Sequence, residues 1–135
     1  MNTKILWVSI VLALFSWSAT KSLANDFKGH VNVTLKPLSQ RAQTGQQVFN
    51  VNCAVCHGEN GSGTRVGPPL IHNIYNPGHH NNASFSRAVT KGVQQHHWPY
   101  GNMAPQKHVG FSDLSNILAF IREVQQMNGV GYEKH

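Results

Sequence analysis

Residues 50–63 read N-V-N-C-A-V-C-H-G-E-N-G-S-G, and the five at 53–57, Cys-Ala-Val-Cys-His, decide the reading of the chain. Cys53 and Cys56 are the only two cysteines among 135 residues. A histidine, His57, comes directly after the second. Two thiols at this gap can be a redox pair, half of a structural metal site, a small disulfide loop, or an anchor for a covalently held group. The rest of the chain discriminates among them.

The first two dozen residues differ from the remainder of the chain. Met1 to Lys4 is short and basic, residues 5–19 are an apolar run, and Ser22 and Ala24 are small residues spaced for a cut after Ala24. That layout is a secretory signal peptide, residues 1–24. The apolar run is short for a membrane span of about 20 residues, so an uncleaved anchor is the lesser alternative. Cleavage leaves 111 of the 135 residues; with Lys4 and Lys21 gone, the 11 basic residues become 9 against 5 acidic, a formal charge of +4. A charge of this size favours acidic partner surfaces. There is no basic run of the kind a nucleic-acid footprint needs, so no nucleic-acid partner is expected.

Export normally permits disulfides, but a Cys53–Cys56 bridge would close a tiny loop and restrain little of the unfolded chain. Residues 25–38 lack a clear period and contain Pro37, so they read as an extended N-terminal arm. A helix is predicted from Ser39, its N-cap, to about Asn52, with Ala42, Gly45, Val48 and Phe49 on one face. Glycine inside a helix costs ~1 kcal/mol relative to alanine, so Gly45 marks a place where another backbone crosses closely. Residues 58–69 and 73–82 are glycine-, proline- and asparagine-rich loops. Ser84 to Lys91 reads as a short helix with Phe85, Ala88 and Val89 inward and Gly92 past its end. Residues 92–110 hold three histidines, two prolines and a methionine without a period. Long irregular segments of this kind are often functional.

The last helix is the clearest. Ser112 is a candidate N-cap, and Leu114, Ile117, Leu118 and Ile121 form a stripe at i, i+3, i+4 and i+7. Asn128-Gly129 ends it, with Gly129 suited to a left-handed cap. No strands and no internal repeats are evident. The class is therefore all-α, three to four short helices separated by long loops. Roughly 90 folded residues with this much loop make a marginal core, and something besides the chain should fill the centre.

That decides among the readings of Cys-Ala-Val-Cys-His. A thioredoxin-type pair needs a βαβ setting, which is missing. A structural zinc site needs four ligands, and a plain disulfide leaves His57 unexplained. In covalent haem attachment two thiols at a fixed gap add to the haem vinyl groups as thioethers, and the adjoining histidine ligates the iron. This uses all three residues and supplies the missing filler.

Here the sequence resembles the class I monohaem c-type cytochromes, periplasmic members included. Gly45, Phe49 and Cys53 are spaced as in that family, and Gly67-Pro-Pro-Leu70 resembles the loop supporting the proximal histidine. Gly101-Asn-Met-Ala-Pro105 is similar to the loop bringing a distal methionine, although the family usually has proline directly after methionine and Ala104 intervenes here. Residues 114–125 look like the C-terminal helix, with Phe120 at a position that is often Tyr or Trp, and residues 122–130 are similar to the ends of periplasmic members. The match runs from about Ser39 to Gly129, leaving residues 130–135 as a C-terminal tail. It implies the small cytochrome c fold around one haem c, with N- and C-terminal helices crossing and Gly45 and Phe49 set against Phe120. It also implies Cys53 and Cys56 as thioether anchors, His57 as proximal ligand, the Pro68 carbonyl as acceptor for its other ring nitrogen, and Met103 as distal ligand.

Other roles stay open. His96, His97 and His108 lie in the same loop region as Met103 and are rival ligands, because neutral imidazole can bind iron. Trp98 and Tyr100 can donate to a haem propionate or simply pack. Leu70 is expected on the haem face, and Arg65 reads as a solvated loop residue. His72, His79 and His80 read as solvated histidines rather than a copper site, because adjacent residues point apart. The resemblance implies an exported, periplasmic electron carrier rather than an enzyme, with redox proteins docking transiently at the haem edge and no small-molecule substrate. Membrane contact is expected only through partner complexes or an uncleaved signal. The alternatives are a haem subunit dedicated to one periplasmic dehydrogenase or oxidase complex, and a sensor or enzyme with an open distal site.

Overall fold

Two helices, one near each end of the domain, cross in a computed structural model that describes residues 31–134. The signal peptide, the cut after Ala24 and residues 25–30 lie outside the described residues. Helix α1 is Gln40–Asn52, α2 is the single turn Ala54–His57, α3 is Asn82–Lys91 and α4 is Phe111–Met127. Short 3₁₀ turns occupy Glu59–Gly61 and Asn73–Tyr75. Among the described residues there is no strand, only an isolated antiparallel bridge between Val93 and Met103.

α1 starts as its sequence dictates. The Ser39 hydroxyl accepts from the Ala42 N–H at 3.2 Å, satisfying one of the helix's unpaired donors. Its buried face is Ala42, Gly45 and Phe49. That face meets Leu114, Ile117, Phe120, Ile121 and Val124 of α4. Phe49 and Phe120 pack with ring centroids 5.5 Å apart. At Gly45 the nearest part of α4 is its backbone. A Cβ at residue 45 would sit 1.9 Å from the Asn116 carbonyl oxygen and 2.9 Å from the Ile117 nitrogen. The glycine therefore lets the two backbones touch.

Two boundaries differ from expectation. α3 begins two residues before Ser84, because the Asn81 side chain accepts from the Ser84 N–H at 2.9 Å and caps the helix there. α4 begins at Phe111 with Gly110 at the N-cap and no side-chain cap bond. Ser112 is inside the helix and caps nothing. The C-terminus is as read: Gly129 takes φ +79°, its N–H bonds Gln126 O at 3.3 Å and the Val130 N–H bonds Gln125 O at 2.9 Å. This is a Schellman closure, and it buries Val130.

The arm, in its described part, is extended and packed. The Val31 N–H donates to Ser62 O at 3.0 Å. Thr34 and Asn128 exchange two bonds of 2.8 Å each. Val31, Val33 and Leu38 lie against the core. No described helix is long and apolar enough to cross a membrane.

Candidate functional site

The crossed helices leave a cavity of about 820 Å³ between α1, α2, α3, α4 and the loops at 67–80 and 92–103. This is within the range that takes a cofactor-sized ligand, about 300–1,000 Å³. The void accounts for a feature of α3. Phe85, Ala88 and Val89 face inward but none is fully buried, because they line the cavity rather than a packed core.

His57 is the last residue of α2 and lines the cavity. Its Nδ1 lies 2.9 Å from the Pro68 carbonyl oxygen. That acceptor selects the tautomer with hydrogen on Nδ1 and leaves Nε2 as the lone-pair nitrogen. Burial holds the imidazole below its usual protonation range, opposed by the Pro68 bond. The result is a neutral, oriented ligand. The Pro68 segment is fixed in turn: Gly67 packs against the Cys56 backbone, where a Cβ would come within 2.5 Å of the Cys56 oxygen. Thr64 closes the same corner by donating its hydroxyl to Cys56 O.

Cys53, at the kink between α1 and α2, lines the cavity and is half-buried. Burial, with a smaller contribution from Cys56, pushes its thiol up to about 11. Cys56 is exposed and is not among the lining residues. The two thiols are not bonded to each other.

The loop carrying Met103 returns on itself through the Val93–Met103 bridge, whose two N–H···O bonds are both 2.9 Å. Gly92, at φ +78°, makes the return possible: a Cβ there would lie 2.4 Å from Met103 O. The bridge fixes the Met103 backbone before the chain reaches Ala104, so the inserted residue is absorbed downstream, where the Gln106 N–H bonds Val89 O at 2.7 Å. Met103 lines the same cavity as His57.

Pro68, Leu70, Trp98 and Tyr100 line it as well. The Trp98 indole nitrogen is buried and has no hydrogen-bond partner. Burial raises the Tyr75 phenol to about 12, offset in part by the adjacent Trp98 indole, with Tyr100 adding to the rise. The indole thus approaches the phenol without completing a bond to it. A buried donor without an acceptor is costly, and it meets the need of an anionic group entering the cavity. With a neutral imidazole, a thioether, two thiols at the rim and an orphaned donor, the residues present fit a haem.

The remaining candidates divide by where the fold puts them. Arg65 is exposed, as expected. His72 serves the chain, its Nδ1 accepting from the Ile74 N–H at 3.2 Å. His108 is exposed and lies outside the cavity lining. His79 and His80 do not point apart; they meet His97 at the cavity wall. Sequence reasoning also missed Arg122 and Gln125. Arg122 donates to Tyr75 O at 3.0 Å, to Asn82 Oδ1 at 2.9 Å and to His80 O, with its guanidinium 4.8 Å from the Phe85 ring centroid. Gln125 donates to Leu70 O at 2.9 Å and to Tyr75 O at 3.0 Å. The only signal was a polar pair three apart on the buried side of α4.

Comparison with known proteins agrees with the geometry. The family model for cytochrome c matches residues 42–125. Among solved structures, cytochrome CL from the marine methylotrophic bacterium Methylophaga aminisulfidivorans is 25% identical, with a TM-score of 0.51 over 64% of this chain. The match covers 54% of that protein, so the chain spans about half its length. No curated protein matches.

Proposed function

Since the chain belongs to the cytochrome c family, a family of haem-binding electron carriers, we propose that it is an exported monohaem carrier with His57 and Met103 as axial ligands. Bound haem would supply a one-electron ferrous/ferric couple, and a soft thioether ligand together with imidazole would favour the ferrous state and raise the potential. The observation that carries the reading is His57, held through Nδ1 on the Pro68 carbonyl at 2.9 Å and lining one cavity together with Met103 and Cys53.

Each residue has a task that needs no substrate. Cys53 and Cys56 anchor one haem by thioether bonds, and the closed turn Cys53–His57 keeps the imidazole in register with them. Pro68 holds the His57 ring still, so its orientation is the same in both oxidation states. The Val93–Met103 bridge does the same for the methionine side. Trp98, with Tyr100 stacked beside it at a ring-centroid distance of 6.1 Å, would donate its indole N–H to a haem propionate. Leu70, at 9% exposure, seals the cavity wall and excludes water.

The partner surface lies where Cys56 reaches solvent. Val55, next to Cys56 in the chain, and Val66, next to the Gly67 that packs on Cys56, are 77% and 61% exposed. A small apolar patch on a mildly basic protein suits brief docking of a redox protein, an encounter of the small, transient class. Export after Ala24 puts this exchange in the periplasm, between a dehydrogenase or quinol-oxidising complex and a terminal oxidase or reductase.

The deciding measurement is a visible and near-infrared spectrum with a pyridine haemochrome assay. A ferric charge-transfer band near the red edge of the visible, lost in Met103→Ala, is the expected result. Survival of that band in Met103→Ala, or its absence in the wild type, overturns the ligand assignment. Rapid, complete carbon monoxide binding by the reduced wild type at neutral pH would indicate an open distal site instead of a carrier.

A further inference from the structure

Three histidines at the wall of the cavity converge from two loops. His79 and His80 end the turn that starts at Asn76, and His97 comes from the 92–103 loop. Their ligand nitrogens all lie within 4.8 Å of one another. The rings interlock, with centroids 4.4 Å apart for His79–His80 and 5.1 Å for each of the other two pairs. Nε2 of His79 and Nε2 of His97 are already 3.1 Å apart.

The surroundings look like those of a ligand set. His80 Nδ1 lies 2.7 Å from Ile74 O, which puts the hydrogen on Nδ1 and leaves Nε2 as the lone-pair nitrogen. A backbone acceptor behind a ligating histidine is the usual device for fixing tautomer and ring orientation. The turn is braced by hydrogen bonds within the chain. Buried Asn76 accepts from the backbone N–H groups of Gly78 and His79 through its side chain, at 2.8 and 3.1 Å. Its main-chain oxygen accepts from the His80 N–H at 2.8 Å, and Arg122 holds His80 O. On the other loop the Gln95 N–H donates to Asn102 Oδ1 at 2.9 Å, and the Gly101 N–H donates to Gln95 Oε1 at 2.6 Å.

From this geometry we propose that His79, His80 and His97 bind one divalent late first-row transition ion, of the Zn²⁺/Cu²⁺ class, with the fourth position taken by solvent or by His96. Three imidazoles without a carboxylate select this class, whereas Mg²⁺ and Ca²⁺ demand oxygen ligands. The dimensions are within reach. A tetrahedral ion with bonds of about 2.0–2.1 Å needs its nitrogens about 3.3–3.4 Å apart. The His79–His97 pair is near that spacing, and the widest pair closes by about 1.4 Å through ring rotation on loops that are otherwise fixed. The ion clasps the 73–80 segment to the loop that carries Met103, at the wall of the haem cavity but through none of its axial ligands.

The test uses the haem-loaded protein, stripped with a chelator and titrated calorimetrically with Zn²⁺ and, separately, Cu²⁺, with the metal-to-iron ratio measured after dialysis. One ion per iron is expected in the wild type, with a thermal midpoint that rises with free metal. His80→Gln and His97→Gln should bind at least tenfold more weakly. His108→Gln, in an exposed histidine elsewhere, should bind as the wild type does. No stoichiometric uptake of either ion overturns the proposal, and so does uptake that survives in both His80→Gln and His97→Gln. Loss of the ferric near-infrared band in His97→Gln would show that histidine serving the iron, and would equally overturn it.

Discussion

Gly45→Ala should destabilise the protein, although helix propensity alone predicts the reverse by ~1 kcal/mol. The added methyl would sit 1.9 Å from the Asn116 carbonyl oxygen and 2.4 Å from its carbon. Both groups are helix backbone, so no rotamer change relieves the overlap. Reaching an ordinary contact of 3.4 Å requires α1 and α4 to part by about 1.5 Å at their crossing. The Phe49–Phe120 pair sits beside that point, and such pairs contribute about 0.5–1.5 kcal/mol beyond area burial. Overpacking typically costs about 1–3 kcal/mol, and a backbone-on-backbone clash belongs at the upper end. The expected net loss is about 3 kcal/mol, which with a urea slope of about 1–3 kcal/mol/M lowers the unfolding midpoint by about 1–3 M. Urea unfolding of the haem-loaded protein, followed by far-ultraviolet dichroism and the Soret band, measures it. Gln47→Ala is the control, an exposed position on the same helix, and should shift the midpoint little. A Gly45→Ala midpoint at or above the wild-type value would refute the crossing contact as the reason for the glycine.

Two further outcomes rest on single side chains. Burial raises the Tyr75 phenol from 10.0 to about 12, so the folded state favours its neutral form; that stability is complete below pH 10 and is lost as pH rises toward 12. The swing is about 2–3 kcal/mol at most, and Tyr75→Phe should flatten the difference between urea midpoints at pH 9 and pH 11.5; an unchanged difference sinks the assignment. Ser39 both caps α1 and donates its hydroxyl to Glu123 Oε1 at 2.5 Å. Ser39→Ala should cost about 1–2 kcal/mol by thermal unfolding, and Ser39→Asp should not restore it, because the new carboxylate faces Glu123; full rescue by aspartate would show that only the cap matters.

The readable part of this fold is the part written in side-chain periodicity. The α4 stripe and the α1 face were both set by apolar spacing, and Gly45 stood out because glycine is out of place in a helix. What Gly45 touches was not readable, since a backbone carbonyl leaves no mark on residue identity. The misplaced starts have the same origin. Asn81 looked like the tail of an asparagine-rich loop until its side chain was seen bonding the Ser84 N–H, and Ser112 looked like a cap although Gly110 already held that place with extended backbone angles, φ −73° and ψ 169°. The histidine cluster was hidden more deeply. Adjacency of His79 and His80 argued for divergence, and nothing in the sequence places His97 beside them; only the fold closes that distance.

The same distinction explains how a chain with so much loop keeps a defined cavity. A packed core would immobilise its lining by volume alone, but here the lining borders a large void and needs another restraint. α4 supplies it with two polar residues on its buried side. Arg122 and Gln125 are bonded to each other at 2.5 Å, and together they satisfy the carbonyls of Leu70, Tyr75 and His80. Gln125 is only 1% exposed, and a buried amide is tolerated only when its hydrogen bonds are made. The apolar stripe of α4 thus fixes α1, and with it Cys53, while the polar pair fixes the loop just past Pro68 and the turn that bears His79 and His80. A single helix therefore sets the relation between Cys53, the loop that supports His57 and the histidine wall.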